Sequence, residues 1–105
     1  MSTYYLIAAP GKLQYIDPSK IYKWIGGMRA GGGVKHHQVI RGPAANALMA
    51  LLMPGEPWNE EKIQLVGDGG DDYDHIKETW KDVTRDAVRL LGSGYEYVED
   101  DDEQP

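Results

Sequence analysis

Glycine and proline pairs divide this 105-residue chain into short segments, and they limit the length of every helix and strand. Proline lacks a backbone N–H, and glycine favours turns and irregular backbone, so both residues interrupt regular structure. The segments between the interruptions alternate between strand-like and helix-like patterns. The interrupting pairs are Pro10-Gly11, Gly26-Gly27, Gly42-Pro43, Pro54-Gly55 and Gly69-Gly70.

The first two segments predict a β-hairpin. Residues 3–8 are rich in β-branched and aromatic side chains, which favour a strand. Residues 12–16 alternate polar and apolar side chains, as a half-buried strand does. Pro10-Gly11 between them fits a type II turn over residues 9–12, because proline presets the first turn position and glycine tolerates positive φ at the second.

Three segments predict helices. Asp17 can cap a short helix that starts at Pro18 and ends at Gly26-Gly27. Residues 44–53 form a second helix that is apolar on nearly every face, which indicates a central helix or an interface. Residues 73–91 form a third helix, because their apolar side chains recur every three or four positions. These side chains are Tyr73, Ile76, Trp80, Val83, Ala87 and Leu90.

The remaining segments complete an α+β fold. Residues 26–33 are predicted as a glycine-rich loop, and further strands are predicted at 35–40, 62–66 and 95–98. The order β-β-α-β-α-β-α-β predicts one mainly antiparallel sheet packed by helices, in a single small domain over residues 1–98. Residues 99–105 begin with five consecutive acids and are predicted to be a disordered acidic tail.

Composition excludes several kinds of functional site and indicates the cellular location. The chain has no Cys, which excludes disulfides and thiolate sites. Seven Tyr and three Trp supply all the aromatic bulk, since Phe is absent too. The longest apolar run, residues 44–53, is too short to span a bilayer, and the N-terminus lacks the pattern of a signal peptide. We therefore expect a cytoplasmic protein with no membrane partner.

Charge is divided unevenly along the chain. Residues 1–50 carry six Lys and Arg against one Asp, a net charge of +5, whereas residues 51–105 carry −11. Such a split indicates an anionic partner for the basic half, an acidic arm, or both. The alternative is that the charges cluster by chance and the two halves interleave in space.

The junction between the strand at 35–40 and the helix at 44–53 is the best candidate site. A helix N-terminus offers unpaired N–H groups and partial positive charge to phosphate or carboxylate. Arg41 can bind an anion through two hydrogen bonds, and Gly42 allows a ligand to approach the backbone closely. Asn46 can form hydrogen bonds to a base edge or a hydroxyl. The alternative is an ordinary turn with Arg41 in solvent. The predicted ligand-binding residues are Arg41, Gly42, Ala44, Ala45, Asn46, His37, Lys35, Arg29 and Trp24.

The histidines and aspartates are weaker candidates. Adjacent strand residues point to opposite faces, so His36 and His37 cannot chelate one metal, although either could serve as a general base. The acids of residues 68–74 lack the ligand spacing of a calcium loop, since Thr79 stands where a bidentate Glu is needed. They are better explained as turn and cap residues. We predict no metal, no cofactor and no catalytic residue set.

Two surfaces could bind a protein. A scattered apolar set, Trp24, Met28, Trp58, Met49 and Met53, is typical of partner surfaces, and the helix at 44–53 could join copies into a homo-oligomer. The alternative is that this helix is core. On the helix at 73–91, acids four residues apart would form a carboxylate stripe that imitates nucleic acid, although a neighbouring basic stripe offsets it. The acids are Asp74, Glu78, Asp82 and Asp86.

These features support three functional hypotheses. The first is a non-enzymatic binding protein whose basic half engages a nucleotide or nucleic-acid phosphate. The second is an inhibitor or adaptor of the kind made by phages and mobile elements, acting on a host protein. The third is a small metal-independent phosphodiesterase that uses His36 or His37 as a base.

Overall fold

A computed structural model describes residues 4–31 and 42–98, so the predicted strand at 35–40 and the acidic tail at 99–105 lie outside the described residues. The fold is α+β, as predicted. The described helices are α1 (Pro43–Leu52), α2 (Asp72–Thr79) and α3 (Thr84–Leu91). The strands are β1 (Tyr5–Ala9), β2 (Gln14–Ile16), β3 (Ile21–Ile25), β4 (Met28–Gly31), β5 (Gln64–Gly67), β6 (Lys81–Asp82) and β7 (Tyr95–Tyr97).

The described strands form two sheets, so the prediction of one sheet is wrong. One sheet has the order β5-β1-β2-β6 and the other has the order β4-β3-β7. Pairing is antiparallel except between β2 and β6, so the mainly antiparallel character is confirmed. A single 3-10 turn, Pro18–Lys20, separates β2 from β3. Because proline cannot donate to a ladder, the chain leaves the first sheet there.

The predicted first hairpin is confirmed, with a different turn. β1 and β2 are antiparallel, and Ile7 lies opposite Ile16. The connection is a 3-10 turn, Pro10–Lys12, and the left-handed residue is Leu13, with φ of 54°. The type II turn is therefore wrong, because Gly11 does not supply the positive φ. Gly11 instead allows the Glu61 side chain to lie close to the backbone of the turn, since a Cβ on residue 11 would lie 2.7 Å from an oxygen of Glu61.

The short helix predicted after Asp17 is wrong. Asp17 does cap, by accepting the Ser19 N–H at 3.1 Å, but the helical turn lasts only through Lys20 before β3 begins. Gly26 and Gly27 have φ of 58° and 81° and join β3 to β4. The prediction of a glycine-rich loop is therefore also wrong for the described residues that form β4. Two successive positive φ values match the twist of a tight hairpin and favour strands on either side.

The long helix predicted at 73–91 is interrupted by β6. Trp80 is extended, with ψ of 162°, and β6 pairs in parallel with β2. A carboxylate oxygen of Asp82 accepts the Thr84 N–H at 2.9 Å and starts α3. The predicted carboxylate stripe is therefore wrong too, because Asp82 lies in a strand and its neighbours lie on two separate helices.

The two faces of the four-stranded sheet cover two cores. On β1, alternate residues Ile7 and Ala9 pack with α1, α3 and Ile21 of β3. Leu6 and Ala8 point the other way and pack with Ile76 of α2. The first core also encloses Trp58, which is fully buried. The prediction that Trp58 belongs to a partner surface is therefore wrong.

A buried charged cluster ties the 3-10 turn after β2 to the start of α3. The Lys20 ammonium lies 2.8 Å from Asp82, and the two side chains are only 10% and 23% exposed. The fully buried Thr84 hydroxyl donates to Asp82 and accepts the Asp17 N–H at 2.8 Å. Each polar group of this cluster therefore has a partner, as burial of charge requires.

This cluster predicts a loss of stability at alkaline pH. Burial, followed by the charge of Asp82, raises the pKa of Tyr15 from 10.0 to about 12. Burial alone would lower the pKa of Lys20, but its hydrogen bond and charge interaction with Asp82 outweigh this and raise it. The unfolded chain thus loses both protons at lower pH than the folded chain does. The free energy of unfolding therefore falls as pH rises from about 10 to 12.

Urea unfolding at a series of pH values checks this expectation. Tyr15→Phe removes the tyrosine contribution and is expected to flatten part of the decline. A wild-type stability that stays constant between about pH 9 and pH 12 would contradict it.

Candidate functional site

The N-terminus of α1 lies at the predicted strand-to-helix junction. The predicted helix start is confirmed: Gly42 is the N-cap in an extended conformation, and Pro43 occupies the first turn. Among the described residues, no side chain forms a capping hydrogen bond here, and the first turn contains no acid. Ala44 is buried, and the Ala45 N–H donates to the Gly42 carbonyl at 3.0 Å. This helix end therefore has no carboxylate in its own first turn to neutralise its partial positive charge.

Asn46 connects this helix end to the three-stranded sheet. Its amide nitrogen donates to the Tyr95 hydroxyl over 2.9 Å. Tyr95 lies opposite Lys23 in the register of β7 and β3, and the Lys23 ammonium is 5.5 Å from the centroid of the Tyr95 ring. A lysine therefore adjoins the tyrosine that holds Asn46.

Sequence analysis missed Lys23 and Tyr95 as site residues. Asn46 and Tyr95 are 49 positions apart in the chain, and no local pattern links them. The alternation in residues 95–98 predicts that Tyr95 lies on one face of a strand, but only strand pairing shows which lysine lies beside it.

Trp24 and Arg29 form a second group on the same sheet. They lie opposite each other in the register of β3 and β4. The Trp24 indole donates to a carboxylate oxygen of Glu96 over 3.0 Å, and Trp24 is 46% exposed. Since adjacent strand residues point to opposite faces, Trp24 lies on the other face from Lys23. The structure thus pairs the backbone positions of Trp24 and Arg29, and it places the Trp24 side chain on the face of the sheet away from the Tyr95 and Asn46 contact.

Three predicted site residues, Lys35, His37 and Arg41, lie outside the described residues, as does His36. Their segment connects β4, which ends at Gly31, to Gly42 at the start of α1. Residues 32–41, which carry Lys35 and Arg41 and no acid, therefore link β4 to this helix in the sequence.

The aspartates of residues 68–74 lie in the turn before α2 and in its first turn, as predicted. Asp71 is the N-cap, although its side chain makes no capping hydrogen bond, and Asp72 and Asp74 follow. Within the described ranges, no group of three or more His, Cys, Asp or Glu side chains is placed to hold a metal ion. His75 is exposed, and its ring lies 3.5 Å from the Thr79 hydroxyl.

Two exposed methionines lie on α1 and at the residue that follows it. Ala44, Ala47 and Leu51 face the core, whereas Met49 and Met53 are 64% and 58% exposed. The alternative that this helix belongs to the core therefore holds for one side of it. The predicted homo-oligomer through this helix stays a prediction.

A surface groove of about 440 Å³ lies elsewhere, between the Pro10–Lys12 turn and residues 60–64. None of the predicted ligand-binding residues lines it, so it is separate from the predicted site. In the described part of the chain, no helix has the length and apolar character needed to cross a bilayer.

Comparison of the chain with protein-family models, with curated proteins and with solved structures gives no match.

Proposed function

We propose that this chain is a non-enzymatic protein whose basic N-terminal half binds an anionic ligand, a nucleotide or a nucleic-acid phosphate. The observation that carries the proposal is the N-terminus of α1. It has no capping side chain among the described residues and no acid in its first turn, and it directly follows the basic stretch of residues 35–41. Partial positive charge and adjoining cations favour phosphate at such a helix end.

Each residue has a distinct part in the proposed complex. Arg41 grips phosphate through two parallel hydrogen bonds, and Lys35 adds positive charge. Lys23 supplies a further cation beside Tyr95, close to the first turn of α1. Asn46 is exposed, and an amide has a second donor hydrogen and an acceptor oxygen with which to read a hydroxyl or a base edge.

Titration with nucleoside triphosphates and short oligonucleotides tests the proposal. Arg41→Ala and Lys23→Ala are each expected to weaken binding about tenfold, because each removes a charged contact to phosphate. Affinity for oligonucleotides is expected to fall steeply with salt, since phosphate neutralisation releases counterions. Lys62→Ala is the matched control, because it removes one exposed lysine from the acidic half.

Binding that is unaffected by Arg41→Ala and Lys23→Ala would place the anion elsewhere on the chain. Absence of binding at low salt would remove the proposal altogether. The adaptor and phosphodiesterase hypotheses stay predictions, and His36 and His37 lie outside the described residues. Solution mass, measured before and after a high-salt wash removes nucleic acid, separates a nucleic-acid carrier from an oligomer or a monomer.

A further inference from the structure

Strand β5 has one edge with no partner strand among the described residues. The first sheet has the order β5-β1-β2-β6, so β5 and β6 are its outer strands. β6 consists of Lys81 and Asp82 only, and its shortness and charge discourage further pairing. β5 has the sequence Gln-Leu-Val-Gly and contains neither a charged residue nor a proline. It therefore lacks the features with which proteins usually protect an edge strand.

The hydrogen bonds beside β5 show which of its backbone groups point outward. The Asp68 N–H donates to the Tyr4 carbonyl at 2.9 Å, just beyond the last pair of β1 and β5. Because inward and outward groups alternate along an antiparallel pair, the N–H and C=O of Val66 point to β1 and those of Leu65 point away from it. Within the described ranges, no backbone hydrogen bond uses these groups of Leu65. Leu65 therefore offers a donor and an acceptor at the edge of the sheet.

The Leu65 side chain is also exposed at this edge. It is 47% exposed and belongs to neither hydrophobic core, although Ile7, directly opposite on β1, is fully buried. The side chain of Val66 points to the other face and is buried. A partner at this edge would therefore bury apolar surface and pair backbone groups at the same time.

We infer that two copies of this chain pair through β5 in antiparallel orientation, so that their four-stranded sheets join into one. A two-fold axis at Leu65 places it opposite the partner's Leu65, where the two residues exchange N–H to C=O bonds and their side chains meet. The same register places Gly67, whose backbone groups also point outward, opposite the partner's Ile63. A second copy thus matches the exposed groups without any change in β5. The inference is independent of the proposed anionic ligand.

The charges that flank β5 favour this register. Lys62 lies three residues before Leu65 and Asp68 lies three residues after it. The two-fold axis therefore places Lys62 opposite the partner's Asp68 at each end of the paired strands, and both residues are exposed. Opposite charges directly across an antiparallel pair stabilise it, and like charges destabilise it. Sliding the partner strand by two residues keeps the outward groups opposed but no longer pairs these charges.

Sedimentation at a series of protein concentrations tests the inference. A contact through one short strand is small, so we expect a monomer–dimer equilibrium in which the dimer fraction rises with concentration. Leu65→Pro removes the outward N–H but no bond to β1, and it is expected to weaken the dimer about tenfold. Leu65→Lys keeps that N–H but places two like charges together at the axis, and it is expected to weaken the dimer by a similar factor. Circular dichroism checks that each variant is folded.

Exchange of the flanking charges gives a test that a general loss of stability cannot imitate. Asp68→Lys places a lysine opposite the partner's Lys62 and is expected to weaken the dimer. Lys62→Asp in the same chain restores opposite charges across the pair in reversed order. The double variant is therefore expected to recover most of the lost affinity.

Amide hydrogen exchange gives an independent readout. The Leu65 N–H is expected to exchange more slowly as protein concentration rises, because it is bonded only in the dimer. The Val66 N–H points to β1 and is expected to be protected at every concentration. Leu13→Lys is the matched control, since it changes another exposed leucine away from β5, and it is expected to alter neither readout.

Three outcomes would overturn the inference. The first is a chain that stays monomeric at every concentration. The second is a dimer that survives both Leu65→Pro and Leu65→Lys. The third is a dimer that is lost in Met49→Lys but kept in Leu65→Lys, which would assign the contact to α1 instead of β5.

Discussion

Trp58→Ala is expected to lower the free energy of unfolding by about 4 kcal/mol, because truncation of a fully buried tryptophan removes contacts and leaves a cavity. Trp58 is 0% exposed in the larger core. Its indole N–H donates to the Gln14 side chain at 2.8 Å, and its backbone N–H donates to the Leu51 carbonyl at 3.0 Å. The side chain therefore holds the segment after α1 against β2.

Urea unfolding followed by circular dichroism measures this loss. Trp58→Phe is expected to cost less, about 2 kcal/mol, because it refills part of the volume but leaves Gln14 without the indole donor. Trp24→Ala is the matched control on a half-exposed tryptophan, with an expected loss below about 1 kcal/mol. A Trp58→Ala protein as stable as the control would contradict the buried position of Trp58.

Asp82→Ala is expected to lower the free energy of unfolding by about 3 kcal/mol, because it leaves a buried ammonium without its counter-charge. The Lys20 residue is only 9% exposed, and its ammonium lies 2.8 Å from Asp82. The same carboxylate accepts the N–H and the hydroxyl of Thr84 at the start of α3. Removal of one side chain thus breaks an ion pair and both hydrogen bonds to Thr84, the first residue of α3.

Asp86→Ala is the control for Asp82→Ala. Asp86 is an exposed acid on α3 that lies 3.6 Å from Arg89, and a surface pair of this kind contributes at most about 0.5 kcal/mol. Asp82→Asn separates the two roles of Asp82, because an amide can still accept from Thr84 but carries no charge. If Asp82→Ala and Asp86→Ala cost the same, the cluster contributes no more than a surface contact.

Local patterns predicted the elements whose signals are complete within a few residues. The first hairpin, α1, β5 and β7 each contain their own apolar alternation or helix start and their own glycine or proline boundary. The helix predictions for residues 17–25 and 73–91 are wrong, because the first segment forms a strand paired with β4 and β7 and the second is interrupted where β6 pairs with β2. Ile21 and Ile25 fit a helical spacing, but Gly26-Gly27 with positive φ folds them into a hairpin. The apolar residues before and after β6 have a helical spacing, because α2 and α3 each bury one apolar side. The two helices pack on different cores, which the spacing alone does not show.

Some features of the candidate site can be predicted from local sequence, and others depend on strand pairing between distant residues. The start of α1 at Gly42-Pro43 is readable from the sequence because capping is local. The approach of Tyr95 and Lys23 to Asn46, and the opposite placement of Trp24, depend on the pairing of β3 with β7. Strand partners far apart in the chain leave no local signal, so these neighbours could not be predicted.

The sequence by itself determined the α+β class, the division of charge, the first hairpin and the beginning of α1, because each depends on neighbouring residues or on composition. The tertiary structure alone decided that the strands form two sheets and that the 73–91 segment is broken at β6. It also decided that Trp58 is buried while Trp24 is exposed. The physical reason is the ion pair between Lys20 and Asp82, which are 62 positions apart in the chain and whose buried charges stabilise each other only in contact. Their pairing outweighs local helix propensity, because an isolated buried charge costs far more than one interrupted helix.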